Sequence, residues 1–185
     1  MTARKPVPRI DRTLELPLVD PPAPATPAAP ALAVPLDGRQ SATALAVARG
    51  TARLLHSLGL ACVAELALPS GRRADLVALG HSGDIWIVEI KSSIADFRAD
   101  QKWMDYRLHC DRLFFATTLQ VPCEIFPKDT GLIVADAFGA SIVCEAPEHR
   151  LPAATRRSML LRFACAAALR LQALADPGGP YAAEF

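Results

Sequence analysis

Between Ser41 and Asp176 the apolar residues change period several times, and each change marks an element. "SATALAVARGTARLLHSLGL" (41–60) carries them at helical spacing, with Ser41 as an N-cap candidate and Gly59 near the end. Gly50 should weaken the middle of that helix. "ACVAELALP", "RADLVAL" and "IWIVEIK" then read as strands separated by the turn-forming "SGR" and "GHSGD", giving a three-stranded antiparallel meander. Ser93-x-x-Asp96 resembles a capping box opening a helix that runs to about His109, with Phe97, Gln101, Met104 and Leu108 as its inner stripe. "RLFFATT" is a further strand, and "GLIVAD" and "SIVCEA" flank a turn at Phe138-Gly139. A last helix, about Ala153 to Leu174, has Met159, Leu160, Phe163, Ala167 and Leu171 on one side and stops at Pro177-Gly178-Gly179. The order is α-β-β-β-α-β, then a short β pair and a closing helix, which is an α/β domain.

Composition separates a second zone. Residues 1–38, with "PPAPATPAAPALAVP", cannot form a helix or an inner strand, and they read as a disordered, partly extended tail. The folded domain spans 39–176, and 177–185 form a short C-terminal tail. The 185 residues are 51% hydrophobic and 21% charged, with a net charge of +1. That suffices for one core, and any binding of nucleic acid must come from a local basic patch. Cys62, Cys110, Cys123, Cys144 and Cys165 are odd in number and contain no CxxC pair, so neither a disulfide framework nor a zinc site is expected. No uninterrupted apolar run appears long enough to span a bilayer, and no secretory h-region follows the basic N-terminus. The cytoplasm is the expected compartment, with no membrane partner.

Two charges stand out in "DIWIVEIKSS". Glu89 and Lys91 lie two apart in an otherwise apolar strand, so they share a face and need compensation there. If "GHSGD" is a five-residue loop closed by Leu79 and Ile85, antiparallel pairing sets Asp75 opposite Glu89. A four-residue loop would send Asp75 to the other face. In the first register, two hard carboxylates suit Mg²⁺ or Mn²⁺, and the Lys91 ammonium can orient water or offset charge on a phosphate. Those parts suit phosphodiester hydrolysis. The plainer alternative is a partly buried Glu–Lys pair that only holds the sheet.

The order of elements together with Asp75 and Glu89-x-Lys91 resembles the PD-(D/E)XK nuclease superfamily. The longer stretches "SGRRADLVAL", "IWIVEIKSSIADFRADQKWMDYRLHCDRLFFAT" and "GLIVADAFGA" resemble the MmcB family of bacterial DNA-repair proteins, a likeness covering roughly residues 42–176. The resemblance implies a restriction-endonuclease-like core with a mixed central sheet flanked by helices. It also implies a metal-dependent deoxyribonuclease of DNA-damage repair, with Asp75, Glu89 and Lys91 as catalytic residues. A module that keeps the fold and binds DNA or a repair partner without cutting is the alternative.

The first helix lacks the acid that the superfamily often places there. Glu65 is the nearest candidate for a third metal ligand, or else a solvent-facing strand residue, since the "PSGR" turn leaves its register open. Ser92 and Ser93 can meet a phosphate or cap the helix, and Asp96 and Asp100 should serve its N-terminus. Lys102, Trp103 and Tyr106 can track a DNA backbone and stack on bases, or the two aromatics can pack under a loop. Arg73, with Arg72, Arg49, Arg53, Arg98, Arg107 and Arg112, can form a basic rim. DNA is the expected partner, and the N-terminal tail is a spacer or a contact for a repair protein.

Overall fold

The computed structural model describes residues 41–180 apart from Gln101; the expected tail at 1–38 and the end of the C-terminal tail lie outside the described residues. The chain forms α1 (Ala42–Ser57), β1 (Ala61–Ala67), β2 (Arg73–Leu79), β3 (Ile85–Ile90), α2 (Ile94–Ala99), α3 (Met104–Arg107), β4 (Arg112–Thr117), β5 (Gly131–Ala135), β6 (Ala140–Cys144) and α4 (Ala153–Ala175). A short 3-10 turn, Cys123–Ile125, lies between β4 and β5. The strands make one mixed sheet in chain order: β1, β2 and β3 antiparallel, β3, β4 and β5 parallel, and β6 antiparallel to β5. This is the α-β-β-β-α-β order with its added β pair and closing helix.

Helices cover both faces of the sheet, which is why its inner strands read as continuous apolar runs. On one face Leu76, Val88, Phe114 and Ile133 bury against Val47 and Leu55 of α1. On the other, Val77, Ile87 and Leu113 meet Tyr106 of α3 and Met159, Phe163 and Ala166 of α4. The start of α1 follows its sequence signal, since the Ser41 hydroxyl accepts the Ala44 N–H at 3.1 Å.

Gly50 has a different role from the one its helix propensity suggests. A Cβ there would lie 2.1 Å from the Asp136 carbonyl oxygen and 2.4 Å from that of Gly139. The glycine lets α1 press against the turn between β5 and β6, which Arg53 also grips by donating to the carbonyls of Ala137 and Phe138.

The helix expected from Ser93 to His109 is broken in two. Ser93 caps α2 as anticipated, accepting the Asp96 N–H at 3.1 Å, but the backbone leaves helical geometry at Asp100 (φ −95°, ψ 95°). There the Asp100 carboxylate accepts the Lys102 N–H at 2.9 Å, an arrangement that competes with the next helical turn. The break shifts the phase of the second half. Phe97 still points inward, edge-on to Phe115, whereas Met104 and Leu108 are 62% and 68% exposed, and Tyr106 is buried in their place.

A similar correction applies to α4. Leu171 is exposed because its neighbour Arg170 takes the position facing β1, donating to the carbonyls of Ala64 and Glu65. With 23 residues, α4 is also long and apolar enough, by length and composition, to cross a membrane. Its arginines had interrupted the apolar run in the sequence. In this fold the helix packs on the sheet, and Arg156 forms a two-pronged ion pair with the buried Asp111 at 2.7 and 2.8 Å.

Replacing Gly50 by alanine should destabilise the protein by about 3 kcal/mol in urea unfolding, because backbone atoms must move to admit the methyl. Helix propensity alone predicts the opposite sign, a gain of about 1 kcal/mol.

Candidate active site

The hairpin between β2 and β3 sets the geometry. Its loop is the five-residue "GHSGD", closed by Leu79 opposite Ile85, with Gly83 at φ +83° and its N–H bonded to the Gly80 carbonyl. The ladder continues through Leu76 opposite Val88, so Asp75 falls beside Glu89. Hydrogen bonds lock the two together: the Asp75 N–H donates to Glu89 Oε1 at 3.3 Å, and the Ile90 N–H donates to Asp75 Oδ2 at 2.7 Å.

Lys91 follows at the end of β3. Its ammonium lies 3.9 Å from Glu89 Oε2 and 2.6 Å from Asp100 Oδ2. Glu89 is 2% exposed and Lys91 5%. These groups, with Asp96, Ser92, Tyr106 and the N-terminal end of α1 at Ser41 and Ala44, line a cavity of about 470 Å³.

Burial dominates the electrostatics. It raises Asp75 to about 6, against the lowering effects of the Ile90 N–H and the Lys91 charge. It raises Glu89 well above the ordinary carboxylate range, reinforced by the negative charge of Asp75. Burial alone would lower Lys91, but the hydrogen bond to Asp100 and the charge of Glu89 outweigh it and hold the ammonium above its usual value. Asp100 moves the other way. Its own burial is overcome by the Lys91 hydrogen bond and the Lys102 N–H, which keep it low. Two carboxyls that resist ionisation together beside a firmly charged lysine form a site poised for a cation or a proton.

Glu65 stands opposite Asp75 in the β1–β2 register, where the ladder skips a pair and Glu65 adopts φ 50°. Its carboxylate forms an ion pair with Arg73 at 2.5 Å, and its charge contributes to raising Asp75. Among the described residues no group of three or more His, Cys, Asp or Glu side chains is placed to hold a metal ion. The site therefore offers Asp75 and Glu89, with Glu65 alongside and paired to Arg73.

The surrounding residues divide. The Ser92 N–H donates to Asp96 Oδ2 at 3.0 Å, and Ser92 lines the cavity, while the Ser93 hydroxyl is the α2 cap. Lys102 is exposed. Trp103 packs edge-on to Phe115, and Tyr106 is buried with its hydroxyl donating to the Arg73 carbonyl at 3.4 Å, so the aromatics take the packing role. Several arginines of the expected basic rim already have partners. Arg72 pairs with Asp105, Arg107 with Asp129 and Arg112 with Glu148, while Arg53 holds the β5–β6 turn.

Asp100 is the residue that the sequence reading misplaced. Expected at a helix N-terminus, it is the C-cap of α2 and the direct partner of Lys91. The Asp-x-Lys spacing at 100–102 in the sequence was the available signal.

A family model described as DNA repair protein MmcB-like matches residues 32–178. The chain belongs to the MmcB-like DNA-repair family. The match takes in the cavity and every residue that lines it, and membership gives the protein a role in DNA repair. A solved structure, a protein of unknown function from Silicibacter pomeroyi, is 44% identical with a TM-score of 0.74, covering 78% of this chain and 99% of that one. No curated protein matches the sequence. Within the MmcB-like domain, Asp75, Glu89, Lys91 and Asp100 come from two strands and a helix end, brought together by one hairpin and one broken helix.

Because Asp75 titrates higher in the folded chain than in the unfolded one, it favours folding fully only at low pH, and that contribution is lost as pH rises through about 6. Asp75→Asn keeps the acceptor for the Ile90 N–H and removes the buried charge. In chelator at pH 8 it should gain up to about 3 kcal/mol in chemical unfolding, shrinking towards zero by pH 4. A variant less stable than wild type at pH 8 would contradict this account of the pair.

Proposed function

We propose that this MmcB-like protein is a divalent-metal-dependent nuclease that hydrolyses DNA phosphodiester bonds during repair, with Asp75, Glu89 and Lys91 as its catalytic residues. The observation that carries the reading is the Asp75–Glu89 pair, held edge to edge by two backbone hydrogen bonds at the wall of a polar cavity with a lysine beside it. Resemblance to the PD-(D/E)XK superfamily supports the same assignment.

The donor set fits Mg²⁺ or Mn²⁺. One oxygen of each carboxylate is anchored by a backbone N–H, leaving Asp75 Oδ1 and Glu89 Oε2 for a hard cation that keeps several waters and accepts phosphate oxygens. Glu65 can add a third oxygen once Arg73 gives up its ion pair, and Arg73 can then turn to the DNA backbone. Such an ion, when bound, supplies a water of lowered pKa and offsets negative charge on the phosphate. The protein's own groups do the rest. Asp75 and Glu89 would hold that ion through their free oxygens. Lys91, kept protonated, donates to the attacking water or to a phosphoryl oxygen as charge builds there. Ser92 and Lys102 border the path of the DNA strand, Ser92 next to the Ser93 cap of α2 and Lys102 beyond its other end, where Asp100 accepts its N–H.

A second reading is a module that binds DNA or a repair protein without cutting. The absence, among the described residues, of a three-ligand metal cluster favours it. Cleavage assays on single-stranded, duplex and branched DNA with Mg²⁺ or Mn²⁺ separate the two. The nuclease reading predicts cutting of at least one substrate. Asp75→Ala and Lys91→Ala should each reduce it by 10²-fold or more, roughly the loss expected for one electrostatic catalytic group, with DNA binding retained. Wild-type protein that binds all three substrates and cuts none supports the binding module.

A further inference from the structure

Lys91 is shared between two acids in unequal measure. Its ammonium is hydrogen-bonded to Asp100 at 2.6 Å, whereas Glu89 Oε2, at 3.9 Å, is beyond hydrogen-bond distance. That Glu89 atom is also the one left available by the backbone hydrogen bonds, since Oε1 already accepts the Asp75 N–H. A buried lysine without its Asp100 partner would settle on the nearest negative oxygen, and in this cavity that oxygen is Glu89 Oε2. The Asp100 carboxylate is itself well placed for restraint. Oδ2 holds Lys91 and Oδ1 accepts the Lys102 N–H at 2.9 Å, so both oxygens are fixed at the point where the helix breaks. The helix gives up its continuity at the residue that reaches Lys91.

We propose that Asp100 is a positioning residue that draws the Lys91 ammonium off Glu89, keeping Glu89 Oε2 available to a divalent cation and the ammonium facing the substrate phosphate. The inference rests on the nuclease reading of the site. It gives Asp100 a role distinct from that of a metal ligand: its effect on the cation passes through Lys91.

A double-mutant cycle on the full chain tests this, read by calorimetric titration with Mn²⁺ alone and, separately, by DNA cleavage. Asp100→Ser is the main variant because its hydroxyl still accepts the Lys102 N–H and preserves the turn; Asp100→Ala is the second. In the wild-type background, loss of Asp100 should weaken Mn²⁺ binding about 10-fold or more, the size expected for a group that orients a ligand. In the Lys91→Met background the same change should alter Mn²⁺ affinity by less than about 2-fold, because no ammonium remains to fall onto Glu89. Cleavage should be lost in both backgrounds. An equal loss of affinity with and without Lys91, as direct ligation or simple removal of charge would produce, overturns the role of Asp100 while leaving the nuclease reading intact. Wild-type protein that takes up no Mn²⁺ overturns both.

Discussion

The register of the β2–β3 hairpin is the constraint on which the site depends. Side chains alternate along a strand, so one residue more or fewer in "GHSGD" would turn Asp75 to the opposite face, away from Glu89. The hydrophobic pairs along the hairpin resist such a slip, since it would move Val77 and Ile87 out of one core and Leu76 and Val88 out of the other. The apolar core therefore enforces the alignment of two charged residues. Burial on both faces makes the register rigid, and the same burial makes the carboxylates reluctant to ionise.

Two aspartates in this chain, Asp111 buried and Asp75 half-buried, show how environment decides role. Asp111 accepts backbone N–H groups from Ile85 and Leu151 and a two-pronged ion pair from Arg156, which overcome its burial and hold its pKa down. It ties the starts of β3 and β4 to the first turn of α4. Asp75 accepts the Ile90 N–H, lies beside another carboxyl, and is raised to about 6. A satisfied carboxylate fastens elements together. One left short of donors at a cavity wall is available for chemistry. Within the MmcB-like family role in DNA repair, this contrast marks the Asp75–Glu89 end of the sheet, rather than the Asp111 end, as the place where chemistry is to be sought.

Most of the framework was legible in the sequence because local signals and burial agreed. Ser41 and Ser93 cap the helices they precede, the meander follows its turns, and the loop closed by Leu79 and Ile85 gives the register that aligns the acids. What escaped the sequence depended on distant contacts. Gly50 looks like a flaw in a helix until the β5–β6 turn is brought against it. The break at Asp100 runs against a helical spacing that continues past it, since an ion pair to Lys91 at the end of β3 is invisible to periodicity. Once the helix breaks, Trp103 and Tyr106 move into the packing positions that the unbroken pattern assigned to Met104 and Leu108. Arg72, Arg107, Arg112 and Arg53 are likewise tied to an acid or a carbonyl that the chain order does not disclose.

The most direct test of the account is to locate a bound cation. Crystals soaked in Mn²⁺ and measured for anomalous scattering should show a peak within coordination distance of both Asp75 and Glu89, lost in Asp75→Asn. A well-ordered site with no peak between these carboxylates, in crystals grown with and without a short DNA strand, would contradict the central claim.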